Sequence, residues 1–579
     1  MQDQATNTTQ KRLRILGDDE IEAIYGLPRF TPEERMEYFS LSPAEKGMLE
    51  QLHSIKSRIY CILQLGYFKA RHLFFVFDLQ EVMEDARYIQ EQCFPGFQIT
   101  EFDITKVTRL RQQRFIRELY HYRSCGTEER QQLETKAQQV ARVDSKPVYV
   151  FRELMHYLAA QQIVVPGYSF MQETVSKALT YEQNRLTAIL RRYLEPFEIH
   201  ALKVLLEDAQ GLYEITRLKH EPRDFSSREM AREIGRRQQI HDLYALAKRL
   251  LPYLDISNEN IKYYASLVTY YSVFRLKQLD EGLVDLYLLC FVYHRYQKLH
   301  DNLLTGLIHH VRRYMDAAKS TAKDRVYEHH MEGNEDLEKA GHVLKLYTDD
   351  SIAESTPFQD VRAKAFAILE RQKIDFIADH ITTKARFDET AFQWEHIDDL
   401  AHQFKRHLRP ILLAIDLAAS PGHTPLIDAV HFLKGTFGKG RSLGHYPSQA
   451  IPLHFVPDTA KRYLYAQNAN GQRRLLQDRY EFLVYRLLRN GLEAGDIFCH
   501  DSVRFRSFED DLLDDQRWRE KGKLVADTGL AILNRPIRDH LAALEECLEA
   551  RLTEVNQRIA SGENEHFEIT RRGRQVRWT

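Results

Sequence analysis

Residues 287–324 read YLLCFVYHRYQKLHDNLLTGLIHHVRRYMDAAKSTAKD. Within them Leu304, Leu307, Ile308, Val311 and Met315 recur at i, i+3, i+4, i+7 and i+11. That spacing places five apolar side chains on one stripe of an α-helix and polar groups on the rest. The stretch decides the fold class: a long amphipathic helix in a chain where alternating strand patterns are scarce.

Working outward, helix starts are well marked. Thr31-Pro32-Glu33-Glu34 sets a capping hydroxyl before a proline at the first helical position, with acids in the first turn. Ser42-Pro43-Ala44-Glu45 and Ser226-Ser227-Arg228-Glu229 both fit the reciprocal capping box. No internal repeat of 20–50 residues is visible. Four blocks are expected: 1–135, a first helical block closing at SCGTEERQQ; 145–280, opening at VYVFRELMHYL; 281–400, carrying the amphipathic helices; and 401–579, with a basic loop segment, a short acidic segment and a final long helix. In that last helix Ile537, Leu541, Leu544, Leu548, Leu552, Val555 and Ile559 are spaced 4, 3, 4, 4, 3, 4, a heptad-like seam broken once. A packing helix within a bundle and a coiled-coil seam both fit, the first being the commoner outcome.

The chain has 579 residues, 43% hydrophobic and 28% charged, with formal net charge −2. It is long enough for several cores, and any affinity for nucleic acid has to come from local basic patches. Six scattered cysteines without a CxxC pair argue against a zinc site or disulfide framework and fit a reducing, cytoplasmic setting. The N-terminal MQDQATNTTQKRLR has no apolar core of a secretion signal. Apolar runs such as 286–293 are far too short to span a membrane, so no membrane partner is expected.

Three basic segments are candidates for phosphate contact. In 106–123, Lys106, Arg109, Arg111, Arg114, Arg117 and Arg123 stand against one acid, Glu118. Arg111, Arg114 and Arg117 recur every three residues, a broad face that His121 extends; it suits a DNA backbone or major groove, and equally a solvated helix face. In 226–244, Arg228, Arg232, Arg236 and Arg237 lie at i, i+4, i+8 and i+9, with Glu229 and Glu233 placed to pair with them. In 433–474, seven Lys/Arg, among them Lys439 and Arg441, face a single acid, Asp458, with Tyr446, Tyr463 and Tyr465 interleaved. GTFGKGRS is no phosphate loop, because Lys439 is followed by Gly440. The acids Glu509, Asp510, Asp511, Asp514 and Asp515 are sequence neighbours, whereas a two-metal site needs carboxylates converging from separate elements. The pairs His309-His310 and His329-His330 lack an HExxH context and are expected at the surface. No catalytic nucleophile motif and no metal-ligand set is found.

Several longer strings carry a family resemblance. FTPEERMEYFSLSPAEKGMLEQLHSIKSRIYCILQLGYF begins at Phe30; VFRELMHYLAAQQIVVPGYSFMQETVSKAL covers 150–179; LKHEPRDFSSREMAREIGRR covers 218–237. LDISNENIKYYASLVTYYSVFRLKQL, the 287–324 stretch, HLRPILLAIDLAAS, AIPLHFVP, RYEFLVYRLLRNGLEAGDIFCHDSVRFRSFEDDLL and the 537–559 helix follow in order. Together they resemble the N-terminal and middle portions of Tn3-family transposases, including the DUF4158-type N-terminal domain.

The resemblance implies a mainly α, multi-domain protein with helix-turn-helix-like DNA-binding blocks. It implies binding to double-stranded DNA at transposon terminal inverted repeats, and a homodimer or a partner chain carrying the catalytic half. It also implies an RNase H-like catalytic domain with an Asp-Asp-Glu triad and Mg²⁺. No stretch here resembles those triad segments, so the expectation is a split, truncated or frameshifted transposase with no cofactor of its own. A helical interaction scaffold or dominant-negative regulator derived from a transposase is the alternative. The near-neutral N-terminal block, with 18 Lys/Arg and 20 Asp/Glu in residues 1–130, favours that alternative.

Overall fold

The structure is a computed structural model. It describes residues 13–578, apart from 103, 210, 384–387, 468–472, 513–517, 529–530, 562–566 and 570–575. Regular structure among the described residues is overwhelmingly helical, and strands occur only as short antiparallel two-stranded pairs. Packing divides the chain into two units: one of residues 1–193, 251–264 and 513–579, the other of 194–250 and 265–512.

The helix starts follow the sequence logic. The Thr31 hydroxyl accepts from the Glu34 amide at 3.3 Å while the Glu34 carboxylate accepts from the Thr31 amide at 2.8 Å. Ser42 and Glu45 do the same at 3.3 and 2.6 Å. Each box satisfies two amides that the first helical turn leaves without an intrahelical partner. At Ser226 only half the box forms. Its hydroxyl caps the Glu229 amide at 3.4 Å, but its own amide goes to Asp224 at 2.9 Å, and Glu229 turns to Arg232 instead.

The first unit is built around the helix Ile55–Arg71, whose residues 57 and 59–68 are buried. Phe30, Phe39, Tyr67, Phe75 and Phe77 form an aromatic cluster on it. Gly66 makes this possible: a Cβ there would lie 2.4 Å from the Phe39 ring. A second core gathers Leu133, Val140, Phe151, Leu154, Met171 and Val175 from the helices Thr127–Val143, Pro147–Ala160 and Tyr168–Tyr193. The segment IVVPGYS stitches neighbouring elements together. The Arg123 amide donates to the Gln162 carbonyl at 2.7 Å, Val164 returns a bond to Arg123 at 2.9 Å, and Val165 donates to His72 at 3.1 Å.

The second unit is organised by one helix of 65 residues, Glu281–Lys345, started by Asp280 accepting from the Gly282 and Leu283 amides. At 1.5 Å per residue it runs roughly 100 Å. Leu304, Leu307 and Val311 are fully buried, and Ile308 and Met315 pack at the edge of the same core. The helices Ser227–Gln239, Glu389–Asp399, Ala401–Ala414 and Gln477–Ala494 pack along it. The carboxylate of Asp301 holds the segment after Cys499 by accepting from the Ser502 hydroxyl at 2.6 Å and the Val503 and Arg504 amides at 3.1 Å each.

Candidate nucleic-acid interface

The first basic segment forms the helix Lys106–Leu119, capped by Thr105 accepting from the Thr108 amide at 3.2 Å. Its inner face is set by two residues. Ile116 lies in the core of the first unit, and the fully buried Gln112 donates to the Ser57 carbonyl at 2.9 Å and the Ser57 hydroxyl at 2.8 Å. At 100° per residue, fixing 112 and 116 inward turns 107, 110, 111, 114 and 117 outward. Arg111 and Arg114 are exposed; Arg117 is half-buried at the flank, and Arg109, about 20° round the helix from Ile116, is half-buried on the inner side. Arg114 pairs with Glu118 at 2.7 Å, and Arg111 lies over the Phe115 ring at 5.2 Å. Among the described residues no carboxylate pairs with Lys106, Arg109, Arg111 or Arg117. Two apolar residues share this outer face, Val107 at 77% exposure and Leu110 at 52%. Sequence reasoning centred on the cations passed over them, although they fall on the same stripe as 111 and 114. A helix with several free cations and two bare aliphatic groups fits a major groove, where thymine methyls take apolar contacts and phosphates take the arginines.

The second segment divides. Arg228 and Arg232 are exposed, Arg232 paired with Glu229. Arg236 and Arg237 turn inward. Arg236 pairs with the fully buried Glu233 and donates to the His220 carbonyl at 3.1 Å. Arg237 donates to His300 at 3.0 Å, lies 3.6 Å from Asp416 and sits over the Tyr296 ring. The four arginines therefore share no common surface: 237 is rotated about 140° from 232, and the carboxylate of Glu233 draws 236 in. Glu233 is held further by Asn302 at 2.7 Å and by the buried Arg295 at 3.8 Å. Arg295 also donates to the His220 carbonyl at 2.6 Å and pairs with Glu221.

In the third segment Lys439 and Arg441 are exposed just beyond the helix Thr424–Gly438, on a turn that Gly440 makes with φ +64°. Arg441 and Thr436 lower the Tyr446 phenol pKa by hydrogen bonding, Thr436 having the larger effect. Arg473 and Arg474 are exposed on the strand Arg473–Leu475, paired with Tyr465–Gln467. The remaining cations are engaged: Lys434 with Asp416 at 2.8 Å, Lys461 with Asp458 at 2.6 Å, and Arg462 with Asp388 at 3.5 Å.

Two carboxylates of the acidic run are engaged by neighbouring protein groups. Asp510 accepts from the Ser507 amide and sits 3.1 Å from His500, and Asp511 pairs with Arg506. Asp514 and Asp515 lie outside the described residues. His310 corrects the expectation of surface histidines. It continues the Leu307–Val311 stripe and is buried, donating from Nε2 to the Phe225 carbonyl at 2.6 Å and stacking 4.4 Å from His407. Burial drives its pKa down to about 4, more than the carbonyl bond raises it. His309, one residue earlier, is exposed, and the His329-His330 side chains lie outside the described residues.

Comparison with known proteins bears on this surface. Residues 15–178, which hold the arginine helix, match a family described as a domain of unknown function, DUF4158. Over 95% of its length the chain is 22% identical to the transposase for transposon Tn3926 of Escherichia coli, matching 54% of that protein. The chain is similar to Tn3-type transposases. It is also 26% identical over 34% of its length to the transposase for Tn2501 of Escherichia coli, covering 18% of that protein. To the transposase for Tn1546 of Enterococcus faecium it is 25% identical over 22% of its length, covering 13%. The chain thus spans about half the length of the Tn3926 transposase. No helix among its described residues is long and apolar enough to cross a membrane.

Proposed function

We propose that the chain is the DNA-gripping portion of a Tn3-like transposition apparatus, recognising the terminal inverted repeats of its transposon and making no cut by itself. The observation that carries this reading is the helix Lys106–Leu119. Gln112 and Ile116 fix its rotation, and its outer face offers Lys106, Arg111, Arg114 and Arg117 beside exposed Val107 and Leu110. The cations supply sequence-independent phosphate affinity, and the aliphatic pair with Arg111 or Arg114 supplies base-edge readout. Arg228, Arg232, Lys439 and Arg441, all exposed, are further phosphate contacts in this reading. Arg236 and Arg237 serve it as structural supports.

Fluorescence anisotropy with a terminal-repeat duplex and a scrambled duplex of the same composition tests the proposal. The expected result is binding to the repeat at least tenfold tighter than to the scramble. Equal affinity for both contradicts repeat recognition, and no binding to either contradicts DNA contact altogether.

A second reading, a helical interaction scaffold or dominant-negative regulator, draws on the inward turn of Arg236 and Arg237, which removes two of the candidate phosphate contacts. It predicts no duplex binding at physiological salt.

A further inference from the structure

A cavity of about 460 Å³ lies in the second unit beside the long helix Glu281–Lys345. Its volume falls within the roughly 300–1,000 Å³ of small-molecule sites. His309 and Arg312, three residues apart on that helix, line one side. Phe225 lines it from the segment before the helix Ser227–Gln239, and Arg504 and Phe505 from the segment after Cys499.

The aromatic groups are held in place. The Phe225 and His309 rings meet at 4.9 Å between centroids, tilted by 37°. The Phe225 carbonyl accepts from His310 at 2.6 Å. The Phe505 amide donates to the Ser502 hydroxyl, and its carbonyl accepts from the Cys499 amide, both at 2.7 Å. Phe225 and Phe505 are half-buried and His309 is exposed, so ring surface remains for a ligand.

The charge of the cavity is positive. Arg504 is exposed, lies over the Phe505 ring at 5.2 Å and pairs with no carboxylate among the described residues. Arg312 holds Glu493, which also lines the cavity, at 2.6 Å. Arg489 holds the same carboxylate at 2.9 Å, so Glu493 is compensated twice and Arg312 has donors left. Asp301, which fixes the Arg504 amide at 3.1 Å, is buried and has Lys298 at 3.7 Å.

We propose that this cavity binds one unpaired nucleotide, the base against the aromatic rings and the phosphate on Arg504 and Arg312. Flat rings give any base a stacking surface, and guanidinium forks match phosphate oxygens. A free mononucleotide and an unpaired nucleotide in a DNA strand present the same base and phosphate, and the probes below separate the two. The site does not depend on the arginine helix, because a single nucleotide suffices to fill it.

The probe is 2-aminopurine, whose fluorescence falls when it stacks on aromatic rings. It is offered to the full chain as the free deoxynucleoside monophosphate, as a single-nucleotide bulge in a duplex, and paired in the same duplex. Quenching of the free monophosphate assigns the site to a free nucleotide. Quenching of the bulge alone assigns it to a strand. In either case Arg504→Ala and His309→Ala, both at exposed positions, are expected to weaken the quenched complex at least about tenfold. Their thermal unfolding is expected to be unchanged. Deoxyribose 5-phosphate, which lacks the base, is expected to compete at least about tenfold more weakly than the monophosphate. The proposal is overturned if neither the free nor the bulged probe is quenched, or if quenching is unaltered in both variants. Equal competition by deoxyribose 5-phosphate also overturns it, since the cavity is then an anion site only. Duplex binding without quenching of any probe removes this site and leaves the arginine helix its role. Quenching of the monophosphate without duplex binding supports the site and removes the duplex reading.

Discussion

The Gln112 carboxamide donates two hydrogen bonds to Ser57, 2.9 Å to its carbonyl and 2.8 Å to its hydroxyl, across a sequence gap of 55 residues. Both side chains are buried. A buried polar pair is specific in a way that apolar packing is not, because a helix rotated by one position leaves both partners unsatisfied. This pair therefore sets the direction in which the arginines of the helix Lys106–Leu119 point.

Replacing Gln112 by Ala removes both bonds and opens a small cavity. The expected cost is about 1–3 kcal/mol of stability, read as a lower urea midpoint with an unchanged slope. Binding to duplex DNA is expected to weaken even under conditions where the variant is fully folded, since the helix loses its fixed rotation. Wild-type affinity in the folded variant would show that orientation of this helix is immaterial.

Glu233 and Arg295 offer a contrast between inward and outward charges. Glu233 is fully buried among Arg236, Asn302 and Arg295, and Arg295 is itself buried. Glu233→Ala takes the buried carboxylate from Arg236 and Asn302 and leaves Arg295 with Glu221 as its counter-charge, at an expected cost of about 1.5–3 kcal/mol. Arg228→Ala, at an exposed position, is expected to change stability by less than about 0.5 kcal/mol. Thermal melts of the two variants check this. Equal melting temperatures would refute a structural role for the buried network.

Much of this was legible in the sequence. Mainly helical architecture followed from apolar periodicity, and the starts at Thr31 and Ser42 from local capping chemistry that needs no tertiary context. What the pattern did not reveal was rotation. Arg228, Arg232, Arg236 and Arg237 look alike as letters, but a fully buried carboxylate on the same helix and a distant histidine, His300, decide which of them face inward. His310 was hidden for the same reason: adjacent histidines diverge by about 100° on a helix, so one joins the core stripe as the other leaves it. The outer face of the helix Lys106–Leu119 was half legible. Its cations stand out, whereas nothing in the letters marks Val107 and Leu110 as exposed until Gln112 is seen to occupy the inner face.

Acid is expected to loosen the second unit through His310. Its folded-state pKa of about 4 lies below the ordinary value of 6.5, because burial disfavours the charged ring. A histidine with a depressed folded pKa is protonated first in the unfolded chain. Its contribution is intact above about pH 6.5 and is lost progressively as pH falls towards 4, by at most about 3 kcal/mol. His310→Gln retains a donor for the Phe225 carbonyl and removes the titration. Urea unfolding between pH 7 and pH 4.5 is expected to give a flatter stability profile for this variant. An identical profile for both proteins would exclude His310 as the source.

The most direct measurement is the salt dependence of binding to the terminal-repeat duplex, made with the wild type and with Arg111→Ala/Arg114→Ala/Arg117→Ala. Each phosphate contact lowers the logarithm of affinity by about 0.9 for a tenfold rise in salt. If these arginines hold DNA, the triple variant binds at least 100-fold more weakly at low salt and its slope is shallower by about two to three. Wild-type affinity and slope in the variant would contradict the account, because the arginine helix would then have no part in holding DNA.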